Sequence, residues 1–125
     1  MLIGIERMIQ DLTDLNHKNV TQRKGTDNIT YAVIPEFTVP AGSFEGRIIS
    51  LGIPVPTDYP RSSGRSIHVK ADPVLFPIGN VPLIRNVVGS VLGSEWQYWS
   101  FEFILSPANP TTDLMSKINA IFRKY

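Results

Sequence analysis

The sequence predicts an α+β fold, because apolar residues spaced three and four apart near each end read as helices while β-rich runs between them read as an antiparallel meander. Its 125 residues suit one domain, taken as 1–125, and suffice to bury a core.

At the start, Leu2, Ile5, Met8, Ile9, Leu12 and Leu15 fall on one face of a helix running to about Asn16. From Asn16 to Asn28 the chain turns polar, with Lys18, Arg23, Lys24 and Gly25-Thr26-Asp27-Asn28, and reads as an exposed connector. Three strand-like runs follow at 29–39, 46–55 and 66–70. In the second, Ile49, Leu51, Ile53 and Val55 alternate with Ser50, Gly52 and Pro54, the pattern of a half-buried strand. Pro54 and Pro56 cannot donate to a ladder, so that strand ends at an edge or is already leaving the sheet. Asp72 to Ser94 holds Pro73, Pro77, Pro82 and several glycines without clear period, and reads as a long irregular surface segment. Leu114, Ile118, Ile121 and Phe122 then mark a second amphipathic helix, with Thr111 or Thr112 as N-cap, Asp113 in its first turn and Arg123 and Lys124 in its last.

Composition narrows the function classes. Hydrophobic residues at 42% and charged residues at 18% describe an ordinary globular chain rather than a disordered one. Twelve basic against eleven acidic residues leave a charge of +1, which does not suggest a nucleic-acid partner. With no cysteine there is no disulfide and no thiolate, and two histidines without a ligand pattern predict no metal; no cofactor is expected. The opening MLIGIERMIQDL carries acidic residues in its apolar pattern and is neither a secretory signal nor a membrane span, so a cytoplasmic location is expected.

Three blocks, in order, resemble the ubiquitin-conjugating enzyme superfamily. GSFEGRIISLGIPVPTDYP, residues 42–60, is similar to the centre of that fold, with Phe44-Glu45-Gly46 leading into a strand and Asp58-Tyr59-Pro60 at the corner after it. SIHVKADP stands where the family has a strand closing on His-Pro-Asn, of which only Pro73 is matched, between Asp72 and Val74. WQYWSFEFILSPANPTTDLMSKINAIF resembles the Trp-x-x-Trp-Ser block and final helix of a bacterial subfamily. The resemblance spans roughly residues 29–122 and implies an N-terminal helix, a meander sheet, a long active-site loop and a C-terminal helix.

In the family's outline the catalytic cysteine begins a stretch that SFEFILSPA, residues 100–108, resembles, which puts Ser100 in the cysteine's place. The resemblance implies a ubiquitin-like protein transferase whose partners are a ubiquitin-like modifier, its activating enzyme and an unspecified protein target. A hydroxyl needs more help than a thiol, from a base, a polarising environment or a strongly activated acyl donor. Asp72, Asn80, His68 and Glu102 are the polar candidates to support Ser100, and the His-Pro-Asn asparagine that supports the oxyanion in the family has no exact match in this sequence. Other readings stay open: Ser100 satisfies a backbone group in a non-catalytic scaffold that binds a modifier or partner, or it replaces a cysteine artificially. Trp96 and Trp99 read as core and loop anchors, Tyr59-Pro60 as a corner, and His68, alternating with Ile67 and Val69, as a side chain on the wetter face of its strand. Glu6, Arg7 and Gln10 on the first helix are expected either to meet the activating enzyme or simply to be solvated.

Overall fold

The computed structural model describes residues 2–72, 75, 79–81, 84–101 and 103–124. The element order is α1 (Gly4–Asp14), β1 (Thr21–Lys24), β2 (Thr30–Thr38), β3 (Ile48–Val55), β4 (Ser66–Lys70), β5 (Gly79–Val81), β6 (Ile84–Ser90), β7 (Gly93–Ser100) and α2 (Pro110–Arg123). The strands form one antiparallel sheet of seven in the order β1-β2-β3-β4-β7-β6-β5, so the fold is α+β.

Alternation along the strands sorts the side chains onto two faces. Ala32, Ile34, Leu51, Ile53, Ile67, Val69 and Trp99 point to the face that Met8 and Leu12 of α1 and Leu114, Ile118 and Phe122 of α2 cover. Trp99, fully buried, packs against Phe122 with ring centroids 5.7 Å apart and the ring planes tilted by 52°. The opposite face carries a second, smaller cluster of Tyr31, Val33, Leu92 and Trp96. Gly52 makes that cluster possible: a Cβ there would sit 2.9 Å from Leu92 Cδ1 and 3.4 Å from His68 Cβ. Val91 and Leu92, at the β6–β7 turn, thus fold back over the sheet instead of projecting from its end.

Three expectations are corrected. The connector 16–28 contains β1, a fully exposed strand paired to β2 at the sheet's edge, because Thr21 to Lys24 lie in register with Val33 to Thr30. The segment 72–94, expected to be an irregular loop, contains β5, β6 and the start of β7; its short runs between Gly79, Pro82 and Gly89 hide strand periodicity while leaving the chain able to pair. The second helix begins at Pro110 with Asn109, not Thr111 or Thr112, at the N-cap and no side-chain cap bond; Thr111 lies inside the first turn and its hydroxyl donates to Asp11. Asp113 does lie in the first turn, and its Oδ2 accepts the Ser106 N–H of the preceding loop at 2.9 Å.

Pro54 behaves as its chemistry requires. β4 pairs with β3 only at Ser50, Leu51 and Gly52, so beyond Gly52 the strand has β2 alone as neighbour. The corner that follows is tied to both helices. Gly4, at φ +66° where a Cβ would lie 2.9 Å from the Thr57 carbonyl, donates its N–H to Tyr59 O at 2.8 Å. Thr111 donates to Asp11 Oδ2 at 2.6 Å, so the Tyr59 hydroxyl, 2.6 Å from Thr111 Oγ1, is the donor in that contact. Arg7 completes the chain with Nε 2.8 Å from the same Asp11 oxygen.

Candidate functional site around Ser100

Ser100 is the last residue of β7 and lies directly across the ladder from Ser66, the first residue of β4. Counting from Trp96 and Tyr98, its side chain falls on the face opposite the helices, where it is half-buried. Phe101 N donates to Arg65 O at 3.0 Å, which makes 65 and 101 the hydrogen-bonded pair and 66 and 100 the adjacent non-hydrogen-bonded pair. In such pairs the Cβ atoms stand about 4.5–5.5 Å apart, so the two serine hydroxyls are side by side.

Behind Ser66 stands His68. Its Nε2 is 3.2 Å from Ser66 Oγ and its Nδ1 is 2.6 Å from Ser90 Oγ. Ser90 Oγ also accepts the Leu92 N–H at 3.0 Å. The imidazole sits edge-on between Tyr31 and Tyr98, at centroid distances of 4.7 and 5.4 Å, and Tyr31 in turn donates to Asp27 Oδ2 at 2.9 Å. Burial pushes the His68 pKa down to about 4, with the Asp27 charge acting weakly the other way. The Tyr31 hydroxyl is held above its ordinary range, first by burial and then by its bond to Asp27. His68 therefore lies on the face opposite Ile67 and Val69 as alternation required, but it is not wet: only 1% of its surface is exposed, because the β6–β7 turn covers it.

The other polar candidates do not meet at Ser100. Asp72 follows β4 at the end remote from Ser66, roughly 15–20 Å along the strand direction, and is exposed. It lines a separate groove of about 610 Å³ with Pro35, Ser50 and Trp96, rimmed by the Lys70–Glu95 ion pair at 3.0 Å. Asn80 lies in β5 one step beyond the row Gly79, Val87 and Trp99, so its backbone is nearly level with Ser100 but two strands, about 10 Å, away. The Asn80 side chain and Glu102 lie outside the described residues. Among the described residues no acid or base contacts the Ser100 hydroxyl. Ser66 and Ser90, the two residues that sequence reasoning missed, carry no motif; the strand register that makes Ser66 the partner of Ser100 would have pointed to the first, and only the fold-back of the turn reveals the second.

Comparison with family models, with curated proteins and with solved structures gives no match to this chain. Among the described residues no group of three acidic or histidine side chains could hold a metal ion, and no helix is long and apolar enough to cross a membrane. A second surface feature lies beside α1: a groove of about 600 Å³ lined by Ile3, Asp58, Pro60, Arg61, Leu105, Ser106 and Pro107. Ile3 in its lining is 55% exposed, and Ile104, next in the chain to Leu105, is 88% exposed.

Proposed function

We propose that this chain is a ubiquitin-conjugating-like protein that carries the C-terminus of a ubiquitin-like modifier as an oxyester on Ser100 and passes it to a target amine. The observation that supports the reading best is the position of Ser100: at the open end of β7, half-buried, on the face away from the helices, with a second hydroxyl opposite it. In the charging step the Ser100 oxygen attacks the thioester carbonyl of the activated modifier; the O–C bond forms, the S–C bond breaks, and the hydroxyl proton ends on the departing thiolate. In the second step an amine displaces the Ser100 oxygen, which recovers a proton from it.

Attack by a hydroxyl needs a strongly activated donor, because Ser100 has no base in contact among the described residues. That same observation favours the second reading, a scaffold of this fold that binds a modifier or partner without chemistry, for which the groove with the exposed Ile3 is a candidate docking place. The two separate on incubation with a ubiquitin-like modifier presented as a C-terminal thioester. The conjugating reading expects an adduct that survives thiol reductant, is released by hydroxylamine or hydroxide, and is missing in Ser100→Ala. A thioester donor that remains fully charged, with no adduct on the wild-type chain, leaves only the scaffold.

A further inference from the structure

The hydrogen bonds behind Ser100 run in one of two directions, set by the tautomer of His68. Ser90 Oγ accepts the Leu92 N–H in both. With the His68 proton on Nε2, the Ser90 hydroxyl donates to the Nδ1 lone pair, 2.6 Å away, and His68 donates to Ser66 Oγ. Ser66 in turn is left with a hydroxyl hydrogen that neither His68 nor Ser90 uses, on a side chain only 6% exposed and adjacent to Ser100. The sequence of donors in that tautomer is Leu92, Ser90, His68, Ser66, ending beside the half-buried serine.

We propose that His68 holds its proton on Nε2 and that Ser66 is the oxyanion donor for acyl transfer at Ser100, with His68 and Ser90 as positioning residues that fix the direction of its hydrogen. This inference rests on Ser100 being the acyl acceptor. When the Ser100 oxygen adds to the acyl carbonyl, the carbonyl oxygen becomes negative beside Ser66, whose hydrogen turns toward it about the Cβ–Oγ bond while Oγ stays on His68 Nε2. Ser66 keeps its proton throughout: the O–C bond to Ser100 forms, the bond to the leaving group breaks, and the Ser100 proton leaves with that group or with solvent. A histidine held neutral by burial suits this task, since it must supply a hydrogen bond and not take a proton. The rings of Tyr31 and Tyr98 flank it, and Asp27, hydrogen-bonded to Tyr31, is the charged group that acts on it.

The test uses p-nitrophenyl acetate, a small activated ester that needs no partner protein, with acetylation of Ser100 located by peptide mass mapping and its rate followed in excess ester. Ser66→Ala is expected to lower the limiting acetylation rate of Ser100 by about 10²-fold, with the half-saturating ester concentration unchanged. Ser66→Thr, which keeps the hydroxyl, is expected to stay within severalfold of wild type. An unchanged rate in Ser66→Ala overturns the inference while leaving Ser100 as acceptor. Equal losses in Ser66→Ala and Ser66→Thr also overturn it, because packing and not the hydroxyl is then what matters. If the wild-type chain acquires no acetyl group at Ser100, both the conjugating reading and the inference fall.

Discussion

His68 shows what a single residue can report about the outer face of the sheet. Its pKa, about 4 when folded against an ordinary 6.5, means that the unfolded chain binds a proton between those values and the folded chain does not. Stability is therefore complete above pH 6.5 and is lost as pH falls toward 4, at up to about 1.4 kcal/mol per pH unit. Urea unfolding at pH 7 and pH 5 is expected to show this loss in the wild type and its removal in His68→Gln, whatever the offset between the two proteins at pH 7. A His68→Gln variant with the same pH slope as wild type would assign the loss to other groups. Alternation in SIHVK placed the ring on the correct face. It could not show that Ser90 and Leu92, more than twenty positions later, cover it, because nothing in a strand's period reports what lies above it.

At the scale of elements, the corner and both helices meet in one polar chain, Arg7–Asp11–Thr111–Tyr59. Thr111 is its only link between α2 and the other two, and it is 2% exposed. Thr111→Val keeps the shape but strands the buried Tyr59 hydroxyl and removes a donor from Asp11, at a cost of about 1–3 kcal/mol. In the Thr111→Val background Tyr59→Phe is expected to cost less than it does alone, which a double-mutant cycle of chemical denaturation measures. Additive losses would show that the two hydroxyls do not act together. Both helices were legible from their apolar spacing because that spacing comes from the core they cover. The start of α2 was not: Thr111 looks like a cap in sequence, but its hydroxyl is drawn to a residue one hundred positions earlier.

For the whole molecule, the decisive arrangement is a sheet buttressed on one side by helices and on the other by its own β6–β7 turn. Leu92, 1% exposed, anchors that turn over Gly52 and Trp96. Leu92→Ala is expected to destabilise the chain by about 2–5 kcal/mol, and, by letting water reach the ring, to move the His68 pKa up toward its ordinary value in an NMR titration. Loss of stability with the His68 titration unmoved would mean that the turn stays closed without Leu92. The meander β2–β4 could be read from the sequence because each strand alternates or is β-rich. The return path through β5 and β6 could not, since its pairing partners are fixed by the crossover past β7 and its residues carry no clean period. For the same reason the serine was found by its likeness to a family outline, whereas the hydroxyl facing it was found only by register.

Strand β1 has one further consequence. It leaves the sheet open along the outward backbone groups of Gln22 and Lys24, the alternate residues whose N–H and C=O turn away from β2, with the side chains of Thr21, Gln22, Arg23 and Lys24 all exposed. An unpaired row of this kind is a template on which another copy could add a strand and start a fibre. Here the strand is only four residues long, and Arg23 and Lys24, being consecutive, project their positive charges to opposite sides of it. A second copy aligning edge to edge would bring like charges together on both surfaces at once, so the sheet can remain open to solvent without becoming a seed for its own aggregation.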